Sequence, residues 1–384
     1  MPQPPAKNPS TPRSQGSFLR RVGLFTTVLL AVLAVLELVG LFVPALSADV
    51  LDPERKLLEQ ARVEPHPYLA YANKPGYSSD QRASGGKQIA HNALGFRGPE
   101  TTWDKPEGVW RIVCLGGSST YGHGPSSNAT TWPMRLQDHL NAAVLPKRVE
   151  VINAGCQGYS TFESLINLSI RLVDFEPDLV VTYHAINDMR CALWREAQHD
   201  NSHWRAIWPV ERPSLVDRLL GRTTTWRLLR SLDPTWRARR SGDLGWYAIV
   251  GYGGEDYALS PAAEVGFASV RRNLESIAAL ARGHGAQVLF GLEAMRWSDL
   301  ERFGTAEAQR AGLQRVLDIT REVGAAHEIP VVDLAAALEG EADRQRAENG
   351  SDRIFTSEVH LTDEGADLLA RTLAQAILEL GLVR

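Results

Sequence analysis

The sequence predicts an α/β protein: a doubly wound parallel sheet of about five strands with a helical insertion, behind one N-terminal transmembrane helix. Three observations predict it. Five short runs rich in Val, Ile and Leu occur at 111–117 (RIVCLGG), 149–156 (VEVINAGC), 178–185 (DLVVTYHA), 286–294 (AQVLFGLEA) and 329–338 (IPVVDLAAAL). None alternates strictly, which is how strands buried on both faces read. Helical patterns at 131–144, 161–174, 265–283, 305–323 and 363–381 fall between and after them, and alternating β and α units build such a sheet. The third observation is the stretch Val22–Leu46, apolar on every face, whose only charge is Glu37. About 20 residues of helix span a bilayer core, so this run is long enough.

Taken in order, residues 1–21 form a basic tail with Lys7, Arg13, Arg20 and Arg21 and no acid, rich in Pro, Ser and Gln; this composition predicts disorder. Residues 22–46 follow as the membrane anchor, with Asp49, Asp52 and Glu54 just beyond. Basic residues before the span and acidic ones after it place the N-terminus in the cytoplasm and the remainder outside, in a periplasmic or other extracytoplasmic space. The competing reading is a cleaved signal peptide, for which Ala45 and Ser47 resemble a cleavage site, but the apolar run is long for one. Residues 47–110, rich in Pro, Gly, Asn and Ser with scattered Tyr and Phe, predict a connecting segment packed on the body. The body itself is expected over 111–384. Its insertion, at about 190–262, holds six of the ten Trp and ten Arg between 194 and 246. Trp packing under Arg stems is one reading of this density, and a sugar- or membrane-facing surface is the other.

Composition removes several classes. With 41 basic and 45 acidic residues the net charge is −4, and the basic tail leaves 49–384 still more acidic. No basic stripe suits a nucleic acid. Three cysteines cannot make a disulfide framework. Cys156 and Cys191 are candidates for one bridge, while Cys114 reads as a buried strand residue. No H-E-x-x-H, C-x-x-C or His cluster is present, so neither a catalytic metal nor a cofactor is expected.

Four blocks carry chemistry. Leu115-Gly116-Gly117-Ser118-Ser119-Thr120-Tyr121-Gly122 follows the first strand. Glycines allow a sharp turn there, and a serine opening the next helix sits among free backbone N–H groups. The same residues would serve as a plain helix cap; as a phosphate loop they lack the lysine. Asn153-Ala154-Gly155-Cys156-Gln157-Gly158-Tyr159 follows the second strand, Ala185-Ile186-Asn187-Asp188 the third, and Phe355-Thr356-Ser357-Glu358-Val359-His360-Leu361-Thr362 precedes the last helix.

The order Ser, Gly, Asn, His at these positions resembles the SGNH/GDSL hydrolase family of esterases and acyltransferases. The resemblance covers about residues 90–384 in architecture and implies a flavodoxin-like sheet. It implies Ser118 as nucleophile and His360 as general base. The Ser118 N–H, the Gly158 N–H and the Asn187 amide form the implied oxyanion hole. A serine needs an adjacent base, and the developing charge needs preorganised donors. Two departures stand out: Gly117 replaces the acid of the usual Gly-Asp-Ser block, and Ser357 replaces the Asp usual three residues before the histidine. His360 is then oriented by Ser357 or a backbone carbonyl, by Glu358, or by a carboxylate from elsewhere such as Asp352 or Glu293; otherwise the enzyme is weak or dead. His184, Arg190 and Glu293 are candidate substrate-lining residues. The expected activity is that of an extracytoplasmic serine esterase removing O-acyl groups, such as O-acetyl, from an envelope or secreted glycan through an acyl-serine intermediate. A polysaccharide O-acetyltransferase and a catalytically weak binding protein are the alternatives, and a lipid ester is a second substrate class.

Overall fold

The computed structural model describes residues 15–42, 62–69, 71–79, 86–194, 197–203, 215–221, 223–231, 261–297 and 306–383. The chain divides into two compact units, Met1–Gln60 with Glu211–Trp246, and Ala61–Val210 with Tyr247–Arg384.

In the first unit, helix α1 runs Gln15–Phe42. One stretch of it, Ser17–Val39, is long and apolar enough to cross a membrane. The helix therefore starts inside the basic tail, which carries no Pro or Gly from Ser17 to Arg21 to stop it. Most of the Trp/Arg-rich insertion, including 204–214 and 232–260, lies outside the described residues.

The second unit opens with a small antiparallel hairpin, β1 (Val63–Pro65) and β2 (Tyr71–Asn73). Leu69, Tyr71, Ile89 and Phe96 of this connecting region are buried. The main sheet holds β3 (Val109–Gly116), β4 (Arg148–Asn153), β5 (Leu179–His184), β6 (Gln287–Leu292) and β7 (Val331–Val332). Its spatial order is β4-β3-β5-β6-β7, and all pairs are parallel. All eight residues of β3 are buried, because helices cover both faces. One register row, Ile152, Val113, Val180 and Val288, crosses four strands with β-branched side chains.

Two helix groups flank the sheet. After the short α2 (Ser118–Tyr121) come α3 (Trp132–Ala142), α4 (Thr161–Ile170), α5 (Ile186–Leu193), and, beyond the insertion and its α6 (Leu215–Leu220) and α7 (Thr224–Ser231), α8 (Pro261–Gly283), α9 (Ala306–Ala326), α10 (Leu334–Asn349) and α11 (Asp363–Glu379). Helices α3, α10 and α11 form one packed set, and α4, α5, α8 and α9 the other.

The expected fifth strand at 329–338 shrinks to two residues. The Asp333 carboxylate accepts from the Ala336 N–H and starts α10 at Leu334, so the LAAAL stretch is helix. An apolar run continuing through a capping residue does not mark where strand ends and helix begins. Strand order reverses around β3 and β5, and crevices outside the carboxyl ends of such strands are where ligands bind. The Ser118, Gly158 and Asn187 blocks all follow strands that meet there.

Candidate active site

Strand β3 delivers the chain into Gly117, and Ser118 is the first residue of α2. Ser118 Oγ lies 2.8 Å from His360 Nε2. The other ring nitrogen, Nδ1, lies 2.7 Å from Ser357 Oγ. For Nε2 to accept the Ser118 proton, Nδ1 must carry the ring hydrogen and donate it to Ser357. His360 is fixed by its own turn. Its carbonyl accepts from the Thr356 N–H at 2.7 Å and the Thr356 hydroxyl at 3.1 Å, and Phe355 bridges to Leu361. Thr362 then caps α11, accepting from the Gly365 N–H. His360 is thus held between a closed turn and a capped helix.

The second block arrives on a turn whose Gly158 has φ +73°, a conformation open to glycine at no steric cost. Ser160 and Glu163 form a capping box that fixes the following α4. Asn187, in the first turn of α5, is 4% exposed. Its amide donates one hydrogen to the Tyr159 carbonyl at 3.0 Å and keeps a second. No described residue engages the N–H of Ser118 or of Gly158. A Cβ on Gly117 would lie 2.6 Å from Asn187 Nδ2 and 3.0 Å from the Tyr159 oxygen. The Asn187 amide and the Gly158–Tyr159 turn therefore close on the residue preceding Ser118.

A family model described as GDSL-like lipase/acylhydrolase matches residues 114–368. The chain belongs to this GDSL family. It is a serine hydrolase acting on ester bonds. Among solved structures it is similar to a lipase/acylhydrolase from Enterococcus faecalis, at 19% identity over 71% of this chain and 96% of that one with a TM-score of 0.41. It is also similar to an acetyl xylan esterase, at 14% identity over 70% and 99% with a TM-score of 0.41, and to a catalytic mutant of an acetylxylan esterase from Geobacillus stearothermophilus, at 13% identity over 72% and 96% with a TM-score of 0.41. No curated protein matches significantly.

Both departures from the usual GDSL blocks have a local account. An Asp at 117 would drive its Cβ into the Asn187 amide, so glycine is what lets that amide approach. At the acid position, Ser357 meets His360 itself. The three carboxylates considered for the role are committed elsewhere. Glu358 turns to Arg190, Oε1 to Nη2 at 3.3 Å. Asp352 holds Arg346 at 2.6 Å and accepts from the N–H groups of Ile354 and Phe355. Glu293 accepts from the Ser119 hydroxyl at 2.7 Å and from the Ile186 N–H at 2.9 Å.

The electrostatics follow from that arrangement. Burial, with the positive charges of Arg190 and Lys87, pushes the His360 imidazole from the usual 6.5 down to about 3. His360 is therefore neutral at ordinary pH, the form a base needs. Beside it lies His123, ring centroids 4.7 Å apart, pushed down to about 3 by burial and by His360. The side-chain amide of Gln157 lies 2.8 Å from its Nδ1. His123 and Gln157 were not assigned roles from sequence: His123 stands one residue past the serine block and no spacing rule selects it.

The remaining predicted residues take hydrogen-bond partners other than Ser118 Oγ and the His360 ring. His184 is buried, with Nε2 on the Ser164 hydroxyl at 2.8 Å and Nδ1 3.7 Å from Asp188. It ties α4 to α5. Glu293, 3% exposed, holds the hydroxyl of Ser119, the residue after Ser118. Arg190 is buried against Glu358. Cys114, Cys156 and Cys191 are all free, buried thiols, so the candidate bridge is not formed. Among the described residues no group of three or more His, Cys, Asp or Glu side chains is placed to hold a metal ion.

Proposed function

We propose that the protein is an anchored extracytoplasmic esterase that removes O-acyl groups, O-acetyl among them, from an envelope or secreted glycan through an acyl-Ser118 intermediate. The observation that carries the mechanism is the 2.8 Å contact between Ser118 Oγ and the Nε2 of a neutral His360. Ser118 Oγ attacks the acyl carbon while its proton passes to His360 Nε2. The tetrahedral oxyanion is held by the Ser118 N–H, the Gly158 N–H and the second Asn187 amide hydrogen. The intermediate collapses, the ester C–O bond breaks, and the leaving alcohol takes the proton from His360. Water then repeats the sequence, giving the free acid and Ser118.

The location rests on the charge pattern about α1, basic before the span and acidic after it, which orients the N-terminus inward. O-acylated envelope glycans offer ester bonds on that side, and a lipid ester in the same membrane is the second substrate class. The test is hydrolysis of a short-chain aryl ester by the full chain in detergent, beside Ser118→Ala and His360→Ala. Loss of activity in both variants supports the assignment. Activity persisting in Ser118→Ala overturns it.

One feature favours a second reading. Among the described residues no carboxylate meets His360 Nδ1, where an imidazolium would form; Ser357 occupies that place. Slow hydrolysis suits transfer of the acyl group to a carbohydrate hydroxyl, or a glycan-binding role. Release of free acetate set against acetyl transfer to an added oligosaccharide distinguishes these.

A further inference from the structure

Glu37 is the one acid in the apolar stretch of α1, and the esterase chemistry gives it no role. A lone carboxylate inside a membrane span is costly and needs a partner. Its oxygens accept from the backbone N–H groups of Thr224 at 2.7 Å and Thr225 at 2.9 Å, the first two residues of α7, and α1 packs against α7. The opening N–H groups of a helix lack intrahelical acceptors and form its positive end. Each side thus supplies what the other lacks. Glu37 lies near the C-terminal end of the Ser17–Val39 span, at the depth of the membrane surface.

A second observation points to what covers this element. Thr223 closes a turn onto the Leu220 carbonyl and joins α6 to α7. The two helices leave Leu215 (71%), Val216, Leu219 (69%), Leu220 and Leu229 (56%) exposed. Helix α7 packs on α1, whose own apolar side chains are exposed, and amphipathic segments of this kind embed their apolar face at the lipid–water boundary.

We propose that residues 215–231 form a second membrane element, lying in the interface of the bilayer that α1 spans, docked on α1 through Glu37 and covered by lipid acyl chains. This rests on reading α1 as a retained anchor. The chain leaves the second unit after Val210 and returns to it at Tyr247. The body is consequently tied to the membrane twice along the chain, once after Phe42 and once through 215–231.

The test uses the full chain reconstituted in phosphatidylethanolamine–phosphatidylglycerol vesicles. Leu219→Cys, Leu229→Cys and, as a reference in the span, Leu30→Cys are labelled with an environment-sensitive fluorophore under native conditions, where the native thiols are buried. Expected are blue-shifted emission at all three sites, quenching by spin-labelled lipid, and quenching by aqueous iodide reduced at least about fivefold. A lipid-embedded Leu30 with Leu219 and Leu229 fully open to iodide overturns the second element alone. An aqueous Leu30 overturns the anchor reading as well. The Glu37 contact is read separately by amide exchange at Thr224 and Thr225, expected to quicken about tenfold or more in Glu37→Leu. Unchanged exchange refutes docking through Glu37.

Discussion

Replacing Ser357 with Asp is the most informative single change. The His360 imidazole sits at about 3 rather than 6.5, and at about 1.36 kcal/mol per unit the fold disfavours the imidazolium by about 5 kcal/mol. A carboxylate at the Ser357 position, against the Nδ1 now 2.7 Å from the hydroxyl, would face that cation at roughly 4 Å between charge centres. With an effective dielectric near 20 this attraction is about 4 kcal/mol. Only part of it is realised in a transition state where the proton is in flight; taking half gives about 2 kcal/mol, or roughly 30-fold in kcat. An Asp oxygen reaches further from Cβ than the serine hydroxyl, so the 355–361 turn must open slightly, which trims the gain. The assay is kcat for a short-chain aryl ester across pH, with thermal melts confirming the fold. Ser357→Ala is the companion: it strands the Nδ1 hydrogen at a cost of about 1–2 kcal/mol, slowing the enzyme roughly tenfold. A folded Ser357→Asp no faster than the parent, with Ser357→Ala no slower, refutes the idea that the base lacks an acid.

Other outcomes follow from the same geometry. Gly117→Ala places a Cβ 2.6 Å from Asn187 Nδ2, so kcat should drop by about 10²–10³, the usual toll of one lost oxyanion donor; unaltered kinetics would place that amide outside the reaction. Glu293→Gln presents an amide to two donors, the Ser119 hydroxyl and the Ile186 N–H, and should lower unfolding free energy by about 1–3 kcal/mol in urea titrations. Because His360 holds its neutral form until the pH approaches 3, kcat/KM should stay level from pH 8 to about 5 instead of halving near 6.5. Stability should behave differently. His91 at about 4, and His123, His184 and His360 at about 3, are neutral in the fold but take protons near 6.5 when unfolded. Their contribution is complete above 6.5 and is lost as the pH falls; at pH 5 the buried His184 alone accounts for about 2 kcal/mol. Asp188, raised to about 7 by burial, works in the opposite sense and offsets part of this. Urea midpoints at pH 7.5 and 5 measure the balance, and a higher midpoint at pH 5 contradicts it.

The four long strands were readable because each is a single apolar run ended by Gly, Asn or a polar residue, and a parallel strand buried on both faces has no other signature. The fifth was misread where IPVVDLAAAL passes through Asp333: strand and helix are both buried, so hydrophobicity is blind to the change, although the Asp with a helix-forming Ala run behind it was a visible cap. The contact between Ser118 and His360 was legible because their blocks come in order at strand ends. The partner of His360 was not, since four candidate groups lie within reach in sequence and only the packing commits Glu358 to Arg190 and Glu293 to Ser119. His184 ends a strand at the correct edge, but an edge does not tell which way a ring turns, and this one turns to Ser164. His123 has no motif at all; it enters through the fold of the turn after α2.

The Glu293 carboxylate joins the turn after β3 to the start of α5, while the Ser119 hydroxyl it holds also donates to the Val359 carbonyl at 3.2 Å. The segments carrying Ser118, Asn187 and His360 are therefore coupled at one buried point, although Ser118 and His360 are 242 residues apart in the chain. Closing a loop of that length is slow and unrewarded until its far end docks. A nascent chain that has not yet placed the turn around residue 360 has Ser118 without its histidine partner. Hydrolytic competence is in this sense a report that the entire body has finished folding, and an acyl-enzyme trap applied during synthesis would label only completed molecules.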